Sequence, residues 1–248
     1  MKSRSVANMF TAACVAAASA AHALPLTDKA SVELFAGSNL ETPGSFHAPD
    51  PAPVAGTVYE GLGFKQAYDN RFSGGAEFDY AIDSHLSTFA RAAYSQFNGT
   101  SREVGAYFSD TAGRVPVNAK FDDTDSKEFD LGARYTFSGE RVHPFVGAAL
   151  GTAYQSSMFA TFDNVSGDGT TRVELGRAGT VFQQRVETGL QFSPMPSLDL
   201  RLTAAASHVD GSKRSDDPNL ALVGLDGDRS SVPGRWQYPA EIGAVWHF

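Results

Sequence analysis

The last eleven residues of the chain, Tyr238 to Phe248, alternate between apolar and polar side chains with a period of two. One set of alternate positions is entirely apolar and consists of Tyr238, Ala240, Ile242, Ala244, Trp246 and Phe248. The intervening positions include Gln237, Glu241, Gly243 and His247. Successive side chains of a strand point to opposite faces, so this segment is predicted to be a β-strand with one apolar and one polar face.

Seven earlier segments alternate in the same way, so the sequence predicts eight strands. They are Ser31–Asn39, Arg71–Ile82, Leu86–Asn98, Lys127–Phe137, Val142–Gln155, Thr180–Phe192, Leu198–Val209 and Trp236–Phe248. Most are long enough to cross a bilayer, since a tilted strand needs about 9–11 residues. Tight turns at 83–85, 138–141 and 193–197 alternate with long polar connections at 40–70, 99–126, 156–179 and 210–235.

A further segment, Thr57 to Tyr68, also has the pattern of a strand. As a separate spanning strand it would place the two termini on opposite sides. It is therefore interpreted as an extension of the second strand or a small hairpin in the first loop, and a ten-strand barrel remains the alternative. The preceding residues, 42–56, contain four prolines and are predicted to form no ladder strand.

Charged residues fall on one face of the predicted strands. On the fourth strand, Phe129 and Leu131 share a face, whereas Asp130 and Arg134 share the other. We expect no Asp, Glu, Lys or Arg on the apolar face of any of the eight strands. A Lys or Arg facing lipid at the midplane costs about 2–4 kcal/mol, so a membrane would impose this separation. The predicted fold is an all-β, transmembrane, up-and-down antiparallel barrel; a soluble sandwich or lipocalin-like barrel would need a large apolar interior.

The polar face is then expected to line the lumen. Its acids are Glu33, Glu77, Asp79, Glu128, Asp130, Glu187, Asp199 and Glu241, and its bases are Arg91, Arg134, Arg185 and Arg201. An eight-strand barrel is just wide enough for side chains to fill it, so these charges are expected to pair as an Arg–carboxylate network that plugs the lumen. The surplus acids would need water or hydroxyl partners. A wet channel lined by solvated charges is the alternative.

Residues Met1 to Ala23 are typical of a cleaved secretory signal peptide. Lys2 and Arg4 precede an apolar run, and Ala21 and Ala23 form an A-x-A cleavage site. The predicted mature domain therefore covers residues 24–248.

The single cysteine, Cys14, lies within this leader, and a lipoprotein that begins at Cys14 is the alternative. Loss of the leader leaves 18 basic against 28 acidic residues, a net charge of −10. This balance argues against a nucleic-acid partner, which requires a basic surface.

The leader, eight alternating strands, short turns, long loops and terminal Phe248 resemble the OmpA/OmpX-like small outer-membrane β-barrels, also called porin-family proteins. The resemblance covers nearly all of the mature chain, and Gly74–Phe97 resembles a hairpin of that family. It implies the outer membrane of a Gram-negative bacterium, with lipid and lipopolysaccharide as partners. It also implies that the barrel assembly machinery reads the last strand, through Tyr238, Ile242, Trp246 and Phe248. No peptidoglycan-binding domain is expected after Phe248.

Candidate chemistry is sparse, and we expect no catalytic residues, no metal site and no cofactor. Lipid A deacylases of similar size use a His-x-Ser pair, whereas His208 and Ser212 have the wrong spacing, so His208 is interpreted as an interfacial residue. Acidic groups at 122–125, 163–168 and 226–228 are interpreted as solvated, with Ca²⁺ as the alternative. Basic residues of the last loop are candidates for contact with lipopolysaccharide phosphates, namely Lys213, Arg214, Arg229 and Arg235.

Three classes of function are compatible with these features. The favoured class is a structural or interaction protein, not an enzyme, whose plugged barrel presents loops for envelope integrity, adhesion or contact with an extracellular ligand. A narrow channel for small solutes is the second class, and a lipid A-modifying enzyme is the third. Loops determine the ligand, and these loops contain no transferable motif.

Overall fold

The computed structural model describes residues 29–41, 45–47, 57–60, 62–109, 113–163, 169–223, 225, 232 and 234–248. The predicted leader, with Ala21 and Ala23, lies outside these residues. The elements in chain order are β1 (Ala30–Glu41), β2 (Ser45–His47), β3 (Thr57–Tyr59), β4 (Leu62–Gly63), α1 (Phe64–Ala67), β5 (Tyr68–Ala81), β6 (Leu86–Gly99), β7 (Ser101–Ser109), β8 (Gly113–Phe121), β9 (Thr124–Thr136), β10 (Val142–Gln155), β11 (Met158–Asp163), β12 (Thr170–Arg177), β13 (Gly179–Met195), β14 (Leu198–Val209), β15 (Lys213–Arg214), α2 (Asn219–Leu222) and β16 (Arg235–His247).

Eight of these strands form a closed antiparallel barrel in the order β1-β16-β14-β13-β10-β9-β6-β5, and β5 pairs back with β1. The eight barrel strands are the eight predicted strands, with ends that differ by at most three residues. The prediction of an eight-strand barrel is confirmed, and the ten-strand alternative is wrong. Within the described residues, no helix has the length and apolar character needed to cross a membrane.

The strand register determines the width of the barrel. Following paired residues once around the barrel from Gln155 leads back to β10 at Phe145, ten residues away. This shear corresponds to a strand tilt of about 40° and a backbone radius of roughly 8 Å. Such an interior is filled by side chains rather than by a wide aqueous pore.

The outer surface of the barrel is an apolar belt. Between Val142 and Tyr154, β10 rises about 40 Å along its own axis and about 30 Å along the barrel axis, close to the thickness of a hydrocarbon core. Leu131, Leu150 and Ile242 lie in this belt and are 57–61% exposed. Aromatic side chains flank them at both ends, among them Phe72, Tyr80, Phe129, Tyr135, Phe137, Tyr154, Phe182, Phe192, Trp236, Tyr238, Trp246 and Phe248.

One part of the charge prediction is wrong, because Lys127 lies on the outer face of β9. Its cross-strand partners are Tyr94 and Tyr154, both on the apolar face of their strands. Lys127 occupies the end of the belt beside the long connections. The cost of a lysine there falls to about 0–1 kcal/mol, because its ammonium group can reach the headgroup region.

The long connections are not the solvated loops that their composition predicts. Their strands form a six-stranded sheet in the order β15-β12-β11-β8-β7-β3. We call this sheet, together with α1 and α2, the cap. We call the barrel end that carries the cap the loop end, and the opposite end the turn end.

The cap has its own apolar core, built from all four long connections. Val117, Ala160 and Val173 are 0% exposed, and the other members are also buried: Phe64, Ala67, Tyr68, Phe97, Val104, Ala119, Phe121, Met158, Phe162, Leu175, Leu220, Val223, Leu225 and Val232. Short alternating segments such as β8 place Val117, Ala119 and Phe121 on one face. These strands are short and lie among polar residues, so the sequence pattern does not identify them.

The first connection also differs from its prediction. Thr57 to Tyr68 does not continue the second barrel strand, since β3 pairs with β7, β4 pairs with β2, and α1 then precedes β5. The backbone N–H of Gly63 donates to Gln66 Oε1 over 2.8 Å, which caps α1 and interrupts the strand. The expectation that residues 42–56 form no ladder strand is wrong as well, because β2 lies between Pro43 and Pro49.

Candidate functional site

The lumenal charges meet because the register brings them to the same height on different strands. At the turn half of the lumen, Arg134 Nη1 lies 2.8 Å from Glu77 Oε1 and 2.7 Å from Asp79 Oδ1. Its Nη2 lies 2.5 Å from Glu187 Oε1. Arg134 thus joins carboxylates from β5 and β13, and all four side chains are buried.

Arg201 completes this lower ionic layer. Its Nη1 lies 2.5 Å from Glu33 Oε2, 2.8 Å from Glu77 Oε1 and 3.3 Å from Asp79 Oδ2. The three carboxylates each place one oxygen within 4.8 Å of the others, a spacing that suits a metal ion. Because the guanidinium of Arg201 lies among them, it supplies the positive charge at this point.

An upper ionic layer lies closer to the loop end. Arg185 donates from Nε to Glu187 Oε2 at 3.0 Å and from Nη2 to Glu241 Oε2 at 2.8 Å. Arg91 donates to the other oxygen of Glu241 at 2.6 Å, and its Nη1 lies 3.7 Å from Asp130 Oδ2. Glu187 contacts both Arg134 and Arg185, so the two layers form one network.

The lumen holds more carboxylates than arginines, and amide and hydroxyl groups donate further hydrogen bonds to the carboxylates. Gln183 Nε2 donates to both oxygens of Asp130, at 3.1 and 3.2 Å. The hydroxyl of Ser95 donates to Glu128 at 3.2 Å; Glu128 is half-buried and lies at the loop side of the network. These contacts are of the kind expected for surplus lumenal carboxylates.

The turn end of the network reaches the edge of the barrel. His247 Nε2 lies 2.7 Å from Asp199 Oδ2, which also accepts a hydrogen bond from Gln191. Gln191 Oε1 in turn accepts from Arg201 Nη2 at 3.1 Å. A continuous series of contacts therefore runs from the half-exposed His247 to the buried ionic layers.

Three lumenal phenylalanines, which the sequence reasoning missed, pack among the guanidinium groups. The Cζ of Arg91 lies 4.1 Å from the ring centroid of Phe35, and that of Arg134 lies 4.7 Å from Phe89 and 5.0 Å from Phe145. Each ring lies beside a glycine that pairs with it across the strands, namely Gly75, Gly132 and Gly189. A Cβ at any of these glycines would approach within 2.7 Å of the ring. A Phe–Gly pair in register on the polar faces is the sequence signal that could have revealed them.

Between the ionic layers and Arg235, the polar lumenal side chains that the structure describes are neutral apart from Glu128. Eight of these neutral side chains are Asn39, Ser73, Ser95, Ser126, Gln155, Gln183, Ser207 and Gln237. Within the described parts of the chain, several of their polar atoms have no hydrogen-bond partner, including Ser73 Oγ, Gln183 Oε1 and both side-chain polar atoms of Gln155. We call this set of side chains the neutral layer.

Aromatic side chains fill the loop-end mouth. Phe97 lies on the lumenal face of β6, and its ring centroid is 5.4 Å from that of Phe64 in α1. Arg235, at the start of β16, is 3% exposed, and its Cζ lies 4.5 Å from the Phe64 ring. We call these three residues the mouth cluster. Arg235 is therefore a buried residue and not the lipopolysaccharide contact that its loop position predicts.

Several of the remaining candidate residues that the structure describes form hydrogen bonds or packing contacts with other side chains or with the backbone. Asp122 accepts from Arg172 at 2.8 Å, Asp123 from the backbone N–H of Gly99 at 3.1 Å and Asp125 from the Ser156 hydroxyl at 2.8 Å. Residues 164–168, 226–228 and Arg229 lie outside the described parts of the chain, and for Lys213 and Arg214 only the strand is described. The ring of His208 packs against Trp236 on the barrel exterior, with centroids 5.2 Å apart. Tyr238, Ile242, Trp246 and Phe248 all lie on the outer face of the last strand, or directly after it, at 39–61% exposure.

No protein-family model matches the chain, and no curated protein matches its sequence. Among solved structures, the chain is similar to Neisserial surface protein A, with 13% identity, coverage of 90% of this chain and 98% of that one, and a TM-score of 0.43. It is similar to the outer membrane protein OprG from Pseudomonas aeruginosa, with 14% identity, coverages of 89% and 97% and a TM-score of 0.41. It is also similar to the outer membrane protease OmpT from Escherichia coli, with 10% identity, coverage of 89% of this chain and 94% of that one, and a TM-score of 0.47.

These similarities are distant, so the class of the protein follows from its own geometry. A closed eight-strand barrel with a 30 Å apolar exterior and a charged interior has the properties of an outer-membrane β-barrel. Water cannot be the solvent for a belt in which Leu131, Val186, Leu202 and Ile242 are all more than half exposed. The chain is an integral outer-membrane β-barrel protein of the small, eight-strand type.

Proposed function

We propose that this protein is a closed outer-membrane barrel whose function is to hold the cap at the cell surface for contact with an extracellular ligand or with neighbouring envelope components. The observation that carries this proposal is the cap itself. Its four connections share one apolar core around Val117, Ala160 and Val173. A preformed, ordered surface loses less conformational entropy on binding than four independent loops would.

The cap is proposed to face outward, because outer-membrane barrels have short periplasmic turns and long external loops. Its outer face is polar and suited to water. Arg114 pairs with Glu103, Arg172 pairs with Asp122 over 2.8 Å, and Arg177 pairs with Asp216 over 3.0 Å. These six side chains are 39–75% exposed and available to a ligand.

The ionic layers support a structural role for the barrel rather than conduction. Arg134 and Arg201 cross-link carboxylates from opposite sides of the lumen, which leaves little free volume in an interior of this radius. A narrow channel for small solutes is the alternative that a conductance measurement would favour. No enzymatic step is proposed, since His208 packs against lipid-facing Trp236 and has Asp210 as its nearest acid, with Nδ1 3.6 Å from Oδ1.

Two membrane partners follow from the barrel exterior. Lys127, between Tyr94 and Tyr154 at the loop end, is proposed to contact phosphates of the outer leaflet, where lipopolysaccharide lies.

The terminal strand is proposed as the segment that the assembly machinery recognises. Deletion of Phe248 should then lower the yield of folded barrel in the outer membrane while secretion into the periplasm continues. Normal yield and normal heat-modifiable migration of the truncated protein would contradict this role.

Two measurements test the proposed function. A Lys120→Cys variant, on the exposed face of the cap, should react with an impermeant thiol reagent on intact cells, whereas Ser138→Cys, in a tight turn, should react only after the outer membrane is opened. In planar bilayers the wild-type protein should show near-zero conductance. Labelling of Ser138→Cys on intact cells would reverse the topology, and substantial wild-type conductance would replace the closed scaffold with the channel.

A further inference from the structure

Two groups of side chains with different chemistry lie in the lumen at two heights. The ionic layers around Arg134 and Arg185 occupy the turn half and the middle. The mouth cluster of Phe64, Phe97 and Arg235 occupies the loop end. The ionic layers are joined by ion pairs, whereas the mouth cluster is joined by ring contacts.

The mouth cluster joins two side chains of the barrel wall to one from outside the wall. Phe97 and Arg235 extend inward from the barrel strands β6 and β16, whereas Phe64 belongs to α1 in the first long connection. Tyr68 extends the cluster, with its ring centroid 4.8 Å from Phe64 and 6.1 Å from Phe97. All four side chains are at most 4% exposed.

The cap core supports the mouth cluster from above. Phe64 and Phe97 belong to the same buried cluster as Val117 from the second connection, Met158 from the third and Val232 from the fourth. Every long connection therefore contributes apolar side chains to the cover. An apolar constriction obstructs ions by excluding water. Phe64, Phe97 and Tyr68 supply the apolar surface of the mouth, beside the buried guanidinium of Arg235.

The neutral layer between the two groups is chemically different from both. Ser73 Oγ, Gln183 Oε1 and Asn39 Oδ1 are buried polar atoms that form no hydrogen bond with the described side chains. Hydroxyl and amide groups of this kind readily bind water. The polar groups of the neutral layer are therefore suited to hydration.

We infer that the cap is a second closure of the barrel, in series with the ionic layers and independent of them. This inference rests on the proposed closed barrel and adds a specific role for the cap. Two barriers in series conduct only when both are removed. Loss of either closure should therefore leave the conductance close to that of the wild type, and loss of both should raise it more than the sum of the single effects.

Single-channel conductance in planar bilayers tests this inference with the wild type, two double variants, their combination and a control variant. The ionic closure is removed by Arg134→Ala with Arg201→Ala, and the mouth is opened by Phe64→Ala with Phe97→Ala. The conductance of the combined variant should exceed that of either double variant by roughly tenfold or more. Phe159→Ala is the matched aromatic control, since Phe159 lies outside the mouth, beneath Arg172 with 3.9 Å from Cζ to the ring centroid.

The outcomes separate the two proposals. If the wild type itself conducts, the closed-barrel function is wrong. If the wild type is closed but the arginine pair alone conducts as well as the combined variant, the closed barrel stands and the cap is not a closure. If the phenylalanine pair alone conducts as well as the combined variant, the ionic layers are no barrier and the series arrangement is wrong.

A second measurement avoids the combined variant, in case it does not fold. Ser73→Cys places a thiol in the neutral layer, where the wild-type side chain is 3% exposed. On intact cells this thiol should be protected from an impermeant reagent in the wild-type background and in the Arg134→Ala background. It should react once Phe64→Ala and Phe97→Ala are added. Reaction in the wild-type background, or protection in the opened-mouth background, overturns the second closure.

Discussion

The barrel and the cap are antiparallel sheets of one chain with opposite orientations. In the barrel, apolar side chains such as Leu131 face outward and Arg134 faces inward. In the cap, Val117 faces inward and Arg114 faces outward. Both sheets show a period of two, so alternation identifies two faces but not which of them is buried. The surroundings decide, since lipid solvates the barrel and water solvates the cap.

The barrel and the cap are expected to differ most in the free energy lost when an ion pair is removed. Arg134 contacts Glu77, Asp79 and Glu187 in the lumen, and its side chain is 2% exposed. Arg134→Ala leaves three buried carboxylates without this partner. We expect the free energy of unfolding in detergent or lipid to fall by about 3–5 kcal/mol, less any relief from proton uptake or water entry.

Arg114→Ala is the matched control in the cap, where the arginine side chain is 51% exposed and pairs with Glu103. Removal of an exposed pair should cost about 0–1 kcal/mol. Reversible unfolding in urea measures both variants. Equal losses for the two arginines would mean that the lumen is hydrated and that the barrel and the cap do not differ in this respect.

A second pair of variants compares the two solvents directly. Leu131 on the barrel and Leu222 in α2 are the same residue type at nearly the same exposure, 57% and 62%. Leu131→Arg should lower the free energy of unfolding in lipid by about 2–4 kcal/mol, because the charge would face hydrocarbon. Leu222→Arg should change it by less than about 0.5 kcal/mol, as at an ordinary surface position. Similar effects at both positions would contradict the assignment of lipid to one surface and water to the other.

The sequence predicts the barrel and not the cap for a physical reason. A membrane-spanning strand such as Val142–Gln155 is long, and hydrocarbon excludes charge from one of its faces over that whole length. A cap strand such as Met158–Asp163 has six residues and tolerates charge on its solvated face, so its pattern resembles that of a polar loop. Lys127 was missed for the same reason, because the restriction on charge ends at the edge of the belt.

For the lumenal site, the sequence predicts which residues face the interior but not which charges pair. Alternation alone assigns Arg134, Arg201 and Glu77 to the interior, and the structure brings them into contact. The pairing of particular charges depends on the register around the whole barrel, which no single strand contains. Phe145 was missed because a large apolar side chain was not expected on a charged face, where it packs beside Gly189.

The cap core provides a further test. Val117 is 0% exposed, and Val117→Asn would bury an amide without an assured partner, at a cost of roughly 1–3 kcal/mol. We expect the cap to become sensitive to protease while the barrel keeps its heat-modifiable migration, because Tyr68 and Phe97 are the only described members of the cap core that come from barrel strands. Loss of the folded barrel in this variant would show that the cap and the barrel fold as one unit.

The smallest effect is expected at the turn between β5 and β6, where the barrel meets water. Asp83 Oδ1 accepts hydrogen bonds from the backbone N–H groups of His85 and Leu86, both at 2.8 Å, and these bonds lower the pKa of the Asp83 carboxyl. A carboxyl with a lowered pKa in the folded state favours folding above its unfolded value of about 3.9, and this contribution is lost as the pH falls through the folded value. Asp83→Asn should remove this contribution at neutral pH and leave stability unchanged once the pH is below the folded pKa of Asp83. An NMR titration of the Asp83 carboxyl in micelles measures the shift directly, and a midpoint at or above the unfolded value would contradict the role of the turn.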